Sequence, residues 1–365
     1  MNNGSAQWLF SKRLDIVFLF VPVWLVWFWA FNSELEGQYL PLWAWVVFIL
    51  LIDVAHVWST LFRSYCSKQD LKSHKGKLIW LPIVLLPVLF LLACFSIQLF
   101  WGCLAYFAIF HFMKQQYGFM KLYDLKLGLS KLKKVFKLVP DKLVIYVGMI
   151  YPILYWHLDT NRSFNWFVEG DFLYFNSPSL TTFFTSKLIV VSYLFLLVWW
   201  NIQEVWLSRK VEKSLPWGKM LWVSTTYLNW FVGIVYFNSD YVFSVTNVVA
   251  HGVPYLLLVL FYKKKELDIK ASKNRRYKLL WFIIPTVFIC AFVEEYFWDM
   301  LINLEKQDFF QSILPYFTEL GDNYLLIAFF TALLSLPQVL HYVFDSFIWK
   351  FGKTNPLLKK ALSNE

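Results

Sequence analysis

Water-seeking residues are scarce in this sequence. Charged side chains make up 16% of it against 59% hydrophobic ones, and mean hydropathy is +0.50, so the chain cannot cover its apolar surface as a soluble globule must. Cysteine is scarce too. Cys66, Cys94, Cys103 and Cys290 form no Cys-x-x-Cys pair and offer no disulfide framework; three lie in apolar runs and read as small buried hydrophobes. No Gly/Ser-rich or Pro-rich linker divides the chain, and no repeat of solenoid period is present. No signal-peptide cleavage site is evident, so the first apolar run reads as a retained helix. The expectation is one membrane-embedded helical domain over 1–365.

Apolar runs of membrane-spanning length are plentiful. Ten are read, at 14–32, 41–62, 78–95, 98–119, 143–157, 187–207, 219–237, 241–262, 279–298 and 323–349. The stretch 78–119 is too long for one crossing, and Ser96-Ile97-Gln98 offers a turn that splits it. Many Trp and Tyr residues fall near the ends of these runs, where amphipathic rings settle at headgroup level. With the N-terminus placed in the cytoplasm and the spans alternating, 31 of the 34 Lys and Arg residues fall on the inner side; only Arg162, Lys187 and Lys306 do not. The opposite loops carry Glu34, Glu36, Asp159, Glu169, Asp171, Asp240, Asp299, Glu305, Asp308, Glu319 and Asp322. The predicted fold class is therefore all-α: a polytopic integral membrane bundle of about ten transmembrane helices, both termini cytoplasmic, multi-pass in a bacterial inner (cytoplasmic) membrane. The basic runs set topology and sit against anionic membrane lipids. They carry no nucleic-acid motif, and no nucleic-acid partner is expected.

Histidine is the residue that asks for an explanation. His74 lies in a basic loop and His157 at a span end, and both read as ordinary polar residues. The other four lie inside apolar runs. His56 precedes Arg63 by seven residues, His341 precedes Lys350 by nine, His111 precedes Lys121 by ten and His251 precedes Lys263 by twelve. At about 1.5 Å rise per residue, all four fall in a band roughly 10–18 Å from the inner charged boundary. Four separate helices sharing one depth is what a single site among helices requires. Each of these histidines also has an acid or amide on its own helical face: Asp53 for His56, Gln115 for His111, Asn247 for His251, and both Gln338 and Asp345 for His341. Such groups orient metal-bound imidazoles or complete their coordination. Gly252 and Pro254 after His251 can open that helix and free a carbonyl.

These features predict a metal site with His56, His111, His251 and His341 as ligands. Asp53 and Asp345 are the catalytic or sphere-completing carboxylates, and Gln115, Asn247 and Gln338 are the cofactor-binding amides. Imidazole with carboxylate suits iron, zinc or manganese better than copper(I). The expected activity is that of a non-haem iron oxidoreductase or oxygenase on a lipid-like or isoprenoid, hydrophobic small-molecule substrate. Zinc-assisted hydrolysis is a variant. Haem held by histidine pairs and proton-coupled transport are the alternatives. No HxxxH, HxxHH or HExxH pair occurs, so the spaced boxes of membrane fatty-acid desaturases and hydroxylases are absent. One ligand per helix is similar, by analogy alone and with no shared local motif, to histidine-dependent membrane oxygenases such as the carotene-cleaving type. Glu294 and Glu295 read as interfacial anchors. Thr225, Thr226 and Asn229 line a cavity or bond across helices, and Glu204 is placed to reach the site.

Overall fold

The computed structural model describes residues 7–33, 40–127, 137–159, 165–210, 214–270, 274–316, 321, 323–352, 355 and 358, and among them there is no strand. Several residues behind the charge asymmetry, Glu34, Glu36, Arg162, Glu319 and Asp322 among them, lie outside this set. The helices are α1 (Lys12–Phe31), α2 (Leu42–Arg63), α3 (Lys68–Phe95), α4 (Ile97–Lys126), α5 (Asp141–Leu158) and α6 (Pro178–Thr185). They continue as α7 (Lys187–Lys210), α8 (Trp217–Trp230, extended by the π-helical turn Phe231–Tyr236), α9 (Asp240–Lys270), α10 (Asn274–Trp298), α11 (Gln307–Gln311) and α12 (Tyr324–Ile348).

Among the described residues eight of these, α1–α4, α7, α9, α10 and α12, are long and apolar enough to cross a membrane, which makes the chain a multi-pass helical membrane protein. The apolar runs of the sequence predict ten. The two extra stretches are helical, as α5 and α8, but fall outside the eight. In α8 the reason is composition: Lys219, Thr225, Thr226 and Asn229 all lie on it, and all are buried. The long run from 78 breaks at Ser96, whose backbone is extended (φ −164°, ψ 119°) and whose Oγ accepts the Leu99 amide at 3.2 Å. Helix α3 also begins ten residues before the predicted span. It takes in His74, which the sequence placed in a loop and the structure buries, with its ring stacked on Phe347 at 5.0 Å.

The described chain forms two compact units. One comprises Met1–Leu40, Ile109–Pro254 and Leu362–Glu365; the other comprises Pro41–Ala108 and Tyr255–Ala361.

In the second of these, Leu50, Val54, Ala55 and Phe62 of α2 pack with Tyr255 and Val259 of α9 and with Ile283, Val287 and Ala291 of α10. Helix α12 runs along α3, with Leu78 against Phe344, Phe347 and Ile348, and the Tyr324 hydroxyl donates to the Ala93 carbonyl. One end of these helices is tied by a buried cation. Arg63 pairs with Asp70, donates to the Ile348 carbonyl, and lies over the rings of Tyr262 and Trp349 at 4.1 and 5.0 Å. Three helix ends, with the Tyr262 ring of α9, thus share one guanidinium, whose planar fork suits several acceptors at once.

The unit containing α5 to α8 is tied by a second charge cluster. The Lys219 ammonium, fully buried, lies 2.6 Å from Asp141, 2.9 Å from Asp124 and 3.7 Å from Glu204. Lys137 bonds Asp141 and Glu204, and the Trp200 indole donates to Asp141 at 3.0 Å. Glu204, expected near the histidines, is instead committed to this cluster. Burial alone would raise the Asp141 carboxyl; Lys219 and Lys137 override it and hold the group below its ordinary value. Nearby, the Tyr227 ring packs against Gly148 so closely that a Cβ there would lie 2.4 Å from it. Thr225, Thr226 and Asn229 bond across helices, to the Trp24 indole, the Gln116 side chain and the Trp27 indole.

Two outcomes follow. Arg63→Ala or Asp70→Ala leaves one buried charge alone and costs on the order of 3–5 kcal/mol. In thermal unfolding in detergent each single variant loses most of what the double variant loses. Asp141 binds its proton less readily folded than unfolded, so its contribution is present above the ordinary carboxylate value and is lost as pH falls. Asp141→Asn therefore lowers stability at neutral pH and flattens the acid limb of a stability–pH curve.

Candidate functional site

The four intramembrane histidines form two pairs, one in each unit. In the second unit His56 of α2 and His341 of α12 meet edge to face, ring centres 4.9 Å apart at 80°. Both are buried. Tyr255 of α9 packs edge-on to both, at 5.8 and 4.9 Å.

Hydrogen bonds fix the protonation of both rings. The Tyr255 hydroxyl donates to Asp345 Oδ1 at 2.6 Å. That spends its one hydrogen, so its oxygen is the acceptor for the Trp349 indole at 3.3 Å and for the Thr60 hydroxyl at 2.9 Å. Thr60 has then spent its hydrogen too. Its oxygen, 2.7 Å from His341 Nδ1, must accept from that nitrogen. His341 therefore carries a hydrogen on Nδ1, which in the neutral ring leaves the lone pair on Nε2. His56 reaches the same state by a simpler route: Nδ1 lies 3.3 Å from the Ile52 carbonyl, which can only accept. Asp53 Oδ1 lies 3.5 Å from the same nitrogen, and Asp345 Oδ1 lies 3.9 Å from His341 Nδ1.

In the first unit His111 of α4 and His251 of α9 repeat the arrangement, ring centres 5.1 Å apart at 79°. Phe112 stacks on the His251 ring at 3.9 Å. Pro254 has no N–H to give the Ala250 carbonyl four residues back. The Gln116 amide donates to that carbonyl instead, at 3.1 Å, and the Gln115 amide to the His251 carbonyl at 2.8 Å. The carbonyl freed by proline thus goes to a neighbouring helix. The Gln115 Oε1 atom is buried and has no hydrogen-bond partner among the described residues.

Of the residues predicted from sequence, Asp53 and Asp345 lie beside the ring nitrogens of their histidines. The amides are placed differently. Asn247 donates to the Phe243 carbonyl on its own helix at 2.9 Å, and Gln338 to the Tyr342 hydroxyl at 2.7 Å. Thr60, Tyr255 and Trp349 were missed. Each stands four residues beyond a residue already singled out, on the same helical stripe as His56, His251 and Asp345. Extending each stripe by one turn finds all three. Glu294 is no interfacial anchor: it accepts the Trp58 indole at 2.5 Å and lines a cavity of about 480 Å³ that His341 and Thr60 also line.

No known family model, curated protein or solved structure matches this chain. The site stands on its own geometry.

The bond chain gives a sharp outcome for Tyr255→Phe. Without the phenol, the Thr60 hydrogen is released to point at His341 Nδ1, which then accepts. In ¹⁵N spectra of histidine-labelled protein, His341 moves from the Nδ1–H to the Nε2–H form while His56 stays as it is. An unmoved His341 contradicts the chain of donors described above.

Proposed function

We propose that the chain is an integral-membrane metal-dependent oxidoreductase or oxygenase, with non-haem iron as its ion and a lipid-like or isoprenoid molecule as its substrate. His56 with His341, and His111 with His251, are its metal ligands, one pair in each unit. The observation that carries the proposal is the meeting of two buried histidines from separate helices, His56 and His341, each with a carboxylate near its Nδ1. Each ring gives its Nδ1–H to a protein oxygen and so presents Nε2 as a lone pair, which is the state a divalent ion needs and the habit of metal-bound imidazoles. Polar glue would require neither ring to be held this way.

The donor set fits such an ion. Neutral imidazoles with Asp53 and Asp345 close by suit iron, manganese or zinc. Within each pair the rings touch edge to face, which leaves no gap for a porphyrin between them and favours a bare ion over haem. Bound there, iron would supply the one-electron and O2 chemistry that side chains lack. The protein's own residues do the rest. Thr60, Tyr255 and the Ile52 carbonyl hold the rings, Asp53 and Asp345 stand ready to balance charge, and the aromatic shell excludes water.

The test is metal analysis and visible absorption of full-length protein purified without a histidine tag. The expected result is one or two irons per chain with no Soret band. His56→Ala and His341→Ala lose the metal, whereas His74→Ala and His157→Ala keep it. Thr60→Val lowers iron affinity by about 10- to 100-fold, as loss of an outer hydrogen bond does. Equal metal in all these variants overturns the proposal, and a Soret band replaces it with haem.

A further inference from the structure

The 480 Å³ cavity lies wholly within the unit of α2, α10 and α12, and its size is that of a small-molecule site, about 300–1,000 Å³. Its walls come from three membrane-spanning helices. Val57, Trp58 and Leu61 face it from α2, Ile289, Val293 and Phe297 from α10, and Leu333, Pro337 and Leu340 from α12. The polar groups on its surface are few: Thr60 and His341, Ser64 and Tyr65, and Cys290 with Glu294 one turn apart on α10.

Two features say what it takes. First, Ile289, Val293, Phe297 and Leu333 line the cavity and are also exposed at the surface of the molecule. All four lie inside spanning segments, so the opening between α10 and α12 faces hydrocarbon rather than water. An occupant comes sideways, from the bilayer. Second, Glu294 lines this largely apolar wall, its carboxyl group accepting the Trp58 indole N–H at 2.5 Å and keeping lone pairs for a further partner. A charged head cannot be drawn there from the bilayer at small cost. A hydroxyl can: it donates to a carboxylate and accepts from a carboxylic acid, so it pairs with Glu294 in either state.

We infer that this cavity binds a single hydrocarbon chain ending in a hydroxyl, admitted from the bilayer between α10 and α12, with the hydroxyl on Glu294 and the chain against the His341 wall. The chain site rests on the metal-site proposal for its chemistry, but its binding step needs no metal. The inference narrows the substrate from any lipid to a monohydroxylated chain, and it gives Glu294 the role of reading that end.

The test measures the fluorescence of cis-parinaryl alcohol, a conjugated linear alcohol, on full-length protein in detergent, before and after stripping with a chelator. Saturable binding near one per chain is expected, unchanged by stripping. Val293→Trp and Leu333→Trp fill the opening and weaken binding by roughly tenfold or more. Leu325→Trp, exposed on α12 outside the cavity, does not. Glu294→Leu weakens binding by about tenfold, the worth of one buried hydrogen bond, and Glu294→Gln restores it. cis-Parinaric acid, whose carboxylate meets Glu294, binds more weakly than the alcohol. Competition by oleyl alcohol against geranylgeraniol tells a linear from an isoprenoid source. Binding that never saturates, or that is equal in the Trp variants and the Leu325 control, overturns the chain site. Binding indifferent to Glu294 overturns the hydroxyl assignment. Loss of iron binding with the chain site intact condemns the metal proposal alone, and the reverse result condemns this one alone.

Discussion

One hydrogen, on the hydroxyl of Thr60, sets the character of the His56–His341 pair. It points at Tyr255 because Tyr255 has already given its own hydrogen to Asp345. That leaves the Thr60 oxygen to accept from His341, and a neutral imidazole that donates through Nδ1 must carry its lone pair on Nε2. Three helices contribute to this run of bonds: α2 with Thr60, α9 with Tyr255 and α12 with His341, Asp345 and, just past its end, Trp349. The state of one ring nitrogen therefore depends on the packing of a whole unit. Histidine alone, placed in an apolar helix, would carry no such instruction.

The two units hold their polar interiors by similar means. Each holds a fully buried cation, Arg63 in one and Lys219 in the other, set against carboxylates and held by aromatic rings. Buried pairs of this kind add little stability over an apolar core, but breaking one is expensive, so they fix which helix ends meet. In the second unit that matters to the site, because Arg63 ends α2 one turn beyond Thr60 and also holds the Ile348 carbonyl at the end of α12. The same guanidinium that ties the ends of these helices keeps Thr60 and His341 in register.

Much of this was legible in the sequence. Apolar runs located the long helices, and Ser96 marked the break between α3 and α4. The positions of His56, His111, His251 and His341 marked them as buried polar groups, and Asp53 and Asp345 as their neighbours. The pairing was not legible. Helical spacing reveals which residues share a face of one helix but not which face of another helix they meet. Thr60 lies one turn from His56 and serves His341 instead. The amides were misjudged for a related reason. A buried Asn or Gln takes the nearest free carbonyl, and for Asn247 that was Phe243 on its own helix, while Gln115 met the His251 backbone and not its ring. The predicted opening of the helix at Pro254 released a carbonyl, yet Gln116 took it. The polar residues of α8, such as Lys219 and Asn229, are buried inside the unit, and they keep that helix out of the eight that are apolar enough to span.

X-ray absorption at the iron edge of the tag-free, iron-loaded protein tests the central claim most directly. With Nε2 of His56 and His341 as ligands, the spectrum shows imidazole multiple scattering and no sulfur neighbour; His56→Ala loses the iron and with it this signal, while His157→Ala leaves it intact. A spectrum without imidazole scattering, or one that His56→Ala does not change, would contradict the account.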